Sequence, residues 1–219
     1  MIKQKEEKRN PYRMIYTSSY DRGLVYLLHM WEDIKKEVPQ ANLHCFYGWI
    51  LYDIVHKGNP ARMKWKAQVQ EMMRQEGITD HGRIGHEQLK EEFLKSGIWA
   101  YPCSFEEISC ISAMKSQAFG SVPVVTDYAA LKETVQYGVK VDVDITDSDG
   151  QEKYKKELIA MLKDPERQEK IREEMIPWAR EKFLWKHVAQ QWKDIFNKGN
   201  KVKILEEPMQ VKSNATIAF

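Results

Sequence analysis

Long apolar runs are missing from this sequence. None of its 219 residues lies in a stretch approaching the roughly 18 apolar residues that a helical membrane span needs. Cysteine is scarce: there are three, Cys45, Cys103 and Cys110, with no C-x-x-C pair among them. An odd, unpaired set argues against a disulfide framework and for reduced thiols in a cytoplasmic protein. An excess of one charge is missing as well. With 34 Lys and Arg against 32 Asp and Glu, the net charge is +2, and nothing draws the chain toward nucleic acid or an anionic surface. The start, MIKQKEEKRN, lacks the apolar core of a secretory signal. Several catalytic signatures are absent too. No G-x-G-x-x-G follows the first predicted strand, and no G-x-x-x-x-G-K-[ST] occurs, which removes the main support for dinucleotide and P-loop readings. The nucleophile elbow G-x-S-x-G does not occur. His81 and His86 lack other ligand types at metal-binding spacing. Asp142, Asp144, Asp147 and Asp149 resemble part of a calcium loop but lack its closing glutamate, and read as a solvated acidic turn.

What is present is an ordinary globular composition, 42% hydrophobic and 30% charged, enough for a core. β-branched and aromatic runs alternate with segments of helical apolar period. Strands are expected over 13–19, 41–47, 78–84 (weak), 98–101, 122–126 and 139–143. Helices are expected over 23–38, which Pro39 stops, and over 61–75, 86–95, 108–118 and 131–137. Residues 50–59 read as irregular or a short helix. Three helical blocks close the chain, 151–163, 166–183 (kinked at Pro177) and 185–197. The organisation expected is a flexible lead-in at 1–12, one Rossmann-like α/β domain at 13–198 and a tail at 199–219. Alternating β and α with short connections implies an open parallel sheet with helices on both faces.

In such sheets ligands bind beyond the carboxyl ends of the strands. The first strand delivers Ser18, Ser19, Asp21, Arg22 and Gly23 to that rim, and the third Arg83, Gly85 and His86. The fourth delivers Ser104, Glu106, Glu107 and Ser109, and the fifth Thr126, Asp127 and Tyr128. The stretch FEEISCISAMKSQAFGSVPVV (105–125) places a helix start near Ile108. Its free N–H groups, on about Ser109, Cys110 and Ile111, suit an anion, above all phosphate. Arg22 adds a fixed charge, and the Glu107 carboxylate accepts from sugar hydroxyls. Together these would suit a nucleotide diphosphate-sugar. Taken singly, Glu106 or Glu107 also fits a helix-dipole role, and Arg22 a surface ion pair.

Glu107-x7-Lys115 followed by Gly120, Pro123, Val124 and Val125 resembles the E-x7-E segment of retaining GT-B glycosyltransferases of the family-four type. Other pieces follow in the same order: SSYDRGL (18–24), HGRIGHEQL (81–89), ALKETVQYG (130–138), WAREKF (178–183) and WKHVAQQW (185–192). The resemblance covers roughly residues 12 to 197 and implies the C-terminal, nucleotide-sugar-binding half of such an enzyme, of hexosyltransferase type. It implies that Arg22, with Ser18 or Ser19 beside Gly23, holds the diphosphate. The amides of Ile108, Ser109, Cys110 and Ile111 would contact the distal phosphate and sugar, and Glu107 the sugar hydroxyls. Arg83, Ile84 and His86 would lie near the base. Transfer would be retaining and independent of metal or other cofactor, toward a glycan or small-molecule acceptor. An acceptor half is absent, so a separate acceptor-domain chain is an expected partner, and an exposed apolar surface is expected near the rim. The sequence departs from the family at Lys115, where a ribose-accepting glutamate is usual, and at Thr17, where an arginine is expected. A stand-alone nucleotide-sugar-binding module and a non-catalytic Rossmann-like interaction domain are the alternatives.

Overall fold

In the computed structural model the described residues are 9–198, and the chain divides into two units between Phe183 and Leu184. The first unit holds β1 (Asn10–Tyr16), a 3-10 turn (Tyr20–Arg22), α1 (Leu24–His29), α2 (Trp31–Glu37), β2 (Asn42–Cys45), α3 (Ile50–His56) and α4 (Pro60–Met72). It continues through β3 (Ile78–Asp80), α5 (His86–Lys95), β4 (Ser96–Tyr101), α6 (Ile111–Phe119), β5 (Val122–Thr126), α7 (Leu131–Thr134) and β6 (Val139–Val141). It closes with α8 (Ser148–Leu162) and α9 (Pro165–Phe183). The second unit holds α10 (Trp185–Asn197), whose residues Trp185, Val188, Trp192 and Ile195 share one helical stripe. The expected tail and most of the expected lead-in lie outside the described residues.

The six strands form one sheet in the order β3-β2-β1-β4-β5-β6, and every pairing is parallel. This is the expected α/β, Rossmann-like open sheet. Its central strands are buried on both faces. All of SGIWAY (β4) and all of VPVVT (β5) are buried, which explains their unbroken apolar character. Pro123 is tolerated inside the sheet because the β5–β6 ladder begins only at Val124. The outermost strands, β3 and β6, are three residues each, a length that limits exposed ladder groups.

Several boundaries differ from the sequence expectation. β1 reaches back to Asn10, and Arg9 before it donates to the carbonyls of Phe93 (2.8 Å), Ser96 and Phe119 (2.7 Å). The single helix expected over 23–38 is two helices meeting at Met30. Leu24, Leu27, Leu28, Trp31 and Ile34 still face the core, and the Trp31 indole donates to the Glu76 carbonyl at 2.8 Å.

At the β2–β3 edge, His44 Nδ1 and His81 Nε2 stand 2.8 Å apart, and His81 stacks on Phe46 with centroids 4.4 Å apart. Burial, then the charges of Arg13 and His81, lower the His44 pKa from 6.5 to about 4, with Glu92 acting the other way. Burial lowers His81 as well. An imidazole kept neutral by the fold contributes stability above its unfolded pKa, and that contribution is lost as pH falls through the folded one. His44→Gln should therefore flatten the acid limb of Tm between pH 6.5 and about 4 relative to wild type. Parallel limbs in the two proteins would contradict the assignment.

Candidate functional site

The connections leave β1 toward β2 on one side and β4 on the other, so the crevice between the β1 and β4 carboxyl ends is the topological switch point. The loops after these two strands meet there. Arg22 ends the 3-10 turn after β1, and Glu107 lies in the loop after β4. Arg22 Nη1 contacts Glu107 Oε1 at 3.0 Å, and its guanidinium lies over the Phe105 ring, 4.0 Å from the centroid. Burial alone would lower the Arg22 pKa, but the adjacent Glu107 carboxylate outweighs it, so the pKa is raised and the charge secured.

The same Glu107 Oε1 accepts a second bond, from the Tyr101 hydroxyl at 2.8 Å. Since that phenol proton points at Glu107, Ser18 Oγ, 3.1 Å from the phenol oxygen, donates to it. Among the described residues no side chain or amide donates to Glu107 Oε2, so one carboxylate oxygen is fixed from within and the other remains to accept. The Ser18 hydroxyl, expected to face a diphosphate, is instead buried and engaged with Tyr101. Ser19 is half-buried, and its carbonyl takes the Tyr16 hydroxyl (2.8 Å) and the Arg22 amide (3.0 Å), bonds that shape the loop.

The helix start lies later than expected. α6 begins at Ile111 behind an extended Cys110, so the free amides are those of Ile111, Ser112 and Ala113, and those of Ile108, Ser109 and Cys110 lie in the preceding loop. The physical reason is Glu107. Its carbonyl accepts from the Ala130 amide (3.1 Å) and its carboxylate is tied to Tyr101 and Arg22, so it cannot supply the first carbonyl of a helix. Ile108 consequently projects into solvent, 97% exposed. Cys110 is turned inward, and burial pushes its thiol up to about 12, which leaves it protonated and unreactive. Ser112 Oγ donates to the Thr17 carbonyl at 3.0 Å and so pins the helix start to the β1 loop. Thr17 is buried and accepts the Trp99 indole N–H at 3.1 Å.

A second group forms between α5 and α6. Lys115 Nζ lies 3.1 Å from His86 Nδ1, and the ammonium donates to the ring nitrogen, which places the imidazole proton on Nε2. His86 opens α5 after Gly85, whose amide donates to Gln88 Oε1 (3.3 Å). Arg83 is exposed and Ile84 half-buried on the loop just before. The neighbour of Lys115 is thus an imidazole. Tyr101 and Phe105 escaped the sequence reading. An aromatic closing the fourth strand was the available signal for Tyr101, and an aromatic two residues before Glu107 for Phe105.

Apolar side chains flank this rim: Phe105, Ile108 and Ile111 beside the site, and Ile50, Leu51, Ile54 and Val55 on α3, which follows β2. Among the described residues no group of three or more His, Cys, Asp or Glu gathers as a metal cluster, and no helix is long and apolar enough to cross a membrane.

The sheet order, the switch-point crevice and the C-terminal helices define a GT-B-type, C-terminal-like domain. The model of glycosyl transferases group 1 matches residues 1–178, and the chain belongs to that family. No curated protein matches. Among solved structures, it is similar to the pneumococcal O-GlcNAc transferase GtfA in complex with UDP and GlcNAc, with TM-score 0.65 and 15% identity over 87% of this chain and 36% of that one. It is similar to a GtfA/B complex, with TM-score 0.67 and 16% identity over 88% of this chain and 37% of that one. It is also similar to Anabaena Alr3699/HepE in complex with UDP-glucose, with TM-score 0.66 and 13% identity over 86% and 49%. The chain therefore spans between 36% and 49% of the length of these structures.

Gly23 makes the crevice possible. Its φ is +127°, and a Cβ there would stand 2.0 Å from the Pro102 carbonyl oxygen, so this close approach of the two rim loops needs a glycine. Gly23→Ala should cost at least about 2 kcal/mol in urea unfolding, from backbone strain and collision. An unchanged midpoint would show that the loops separate freely.

Proposed function

We propose that this chain is the donor half of a glycosyltransferase, binding a nucleotide diphosphate-sugar at the β1–β4 switch point for retaining, metal-independent transfer. The observation that carries the reading is the Arg22–Glu107 pair, one cation for a diphosphate and one carboxylate for sugar hydroxyls, joined at 3.0 Å. In this reading Arg22 and the amides at the α6 start take up the negative charge that develops on the leaving diphosphate, an electrostatic role requiring no metal ion. Glu107 Oε2 accepts from sugar hydroxyls and orients the anomeric carbon. The acceptor attacks on the face from which the diphosphate departs. Ile84, Arg83 and His86 lie at the base end of the crevice. Lys115 and His86 there present donors, where a glutamate would accept, so the ribose is held through its oxygens. The UDP and UDP-glucose complexes of two similar structures, with the family match, support a nucleotide-sugar.

The acceptor, a glycan or small molecule, would come with a second half, on a longer chain or a separate one. The apolar side chains of the rim, Phe105, Ile108 and Ile111 with those of α3, are the surface such a half would cover. A second reading, a nucleotide-sugar-binding module without transfer, is favoured by Lys115 at the glutamate position; binding without turnover once an acceptor half is supplied would select it.

Arg22→Ala should weaken binding of UDP and UDP-glucose alike by ten- to a hundredfold, as expected for loss of a charge-assisted contact. Glu107→Ala should remove the affinity difference between UDP-glucose and UDP while leaving UDP within about threefold. Unchanged affinity in the first variant, or equal losses of both ligands in the second, would refute the assigned roles.

A further inference from the structure

Tyr101 closes β4, is fully buried, and its hydroxyl reaches the Glu107 carboxylate. Its ring is clamped by Tyr16 (centroids 5.7 Å apart, edge-on) and by Trp99 (5.1 Å). With the ring fixed, the hydroxyl oxygen has a set position beside Cys103; it donates to Glu107 Oε1 at 2.8 Å, while Ser18 at 3.1 Å supplies the bond to its own oxygen. Burial, then neighbouring Tyr16 and Cys103, push the phenol pKa far up, so it is a permanent donor. Arg22 also reaches Oε1, but its side chain is a third exposed and on a loop, whereas Glu107 is 9% exposed. The phenol is therefore the rigid member of the pair of donors.

We propose that Tyr101 is a positioning residue for sugar recognition: with Ser18 behind it, it locks one oxygen of the Glu107 carboxylate and thereby aims the other at the donor's sugar hydroxyls. This rests on the donor-site reading above and extends it to a residue that touches neither phosphate nor base. It also gives Ser18 a role, as the donor that orients the phenol. No bond is made or broken in this role; Tyr101 keeps its proton throughout.

The test is Tyr101→Phe in the full chain, which retains the buried ring and removes only the hydroxyl. Calorimetric titration compares UDP with UDP-glucose, and the ratio of their affinities is the readout. The ratio should fall about tenfold, toward unity, with UDP itself within twofold of wild type, because the phosphate groups are not addressed by Tyr101. The carboxyl 13C resonance of Glu107 in the unliganded protein should also move, reporting the lost hydrogen bond without any ligand. Ser18→Ala should move the ratio in the same direction by less. An unchanged ratio, or equal weakening of both ligands, would reduce Tyr101 to a packing residue and overturn the proposal. Wild type that binds neither ligand while the 13C shift moves would overturn the donor-site reading and this role with it. An unmoved 13C shift beside intact UDP-glucose binding would overturn the positioning role alone.

Discussion

The Arg22–Glu107 contact holds the rim of this domain together. It joins the loop after β1 to the loop after β4, the two strands whose connections diverge, and it does so in a crevice left by the fold rather than carved into it. Surface ion pairs contribute little to stability, and partly buried ones often recover no more than their desolvation cost. The value of this pair is positional. Each partner is held by something else: Arg22 by the Phe105 ring, Glu107 by the Tyr101 hydroxyl, and the two loops by the close approach that only Gly23 permits. A cation and a carboxylate arrive preorganised where a diphosphate-sugar would need one of each.

The rest of the architecture serves that position. β4 and β5 are buried throughout, so their carboxyl ends are fixed points. Thr17 and Ser112 fasten β1, Trp99 and the α6 start into one frame. The loop from 102 to 110 has no regular structure, and it carries the exposed Phe105 and Ile108. The exposed apolar side chains beside this crevice are the surface that the proposed second half would cover, and the chain spans less than half the length of the similar structures.

Much of this was legible in the residues. The buried strand Val122–Thr126 and the helix His86–Lys95 lie where apolar pattern, glycine punctuation and β-branching put them. The Rossmann-like alternation follows from connection lengths, and an arginine after strand one and a glutamate after strand four on one rim follow from rim logic, whereas their contact with each other does not. The helix start at Ile111 was not legible, because local propensity favours continuing the helix back to Ile108 and only tertiary bonds to the Glu107 carbonyl and carboxylate prevent it. The inward turn of Ser18 and the hydroxyl of Tyr101 were hidden for a related reason. A tyrosine and a serine 83 positions apart carry no mark of being bonded until the sheet order places their strands side by side. The Lys115–His86 contact likewise needs α5 and α6 packed together.

In the proposed function, the switch-point crevice recognises a nucleotide diphosphate and, through Glu107, its sugar. The most direct measurement is calorimetric titration of the whole chain with UDP, GDP and ADP, followed by the glucose conjugate of whichever binds. Saturable binding of one diphosphate at a single site is expected, with an affinity or enthalpy that changes when the sugar is attached. No binding of any of the three at millimolar concentration, or binding indifferent to the sugar, would contradict it.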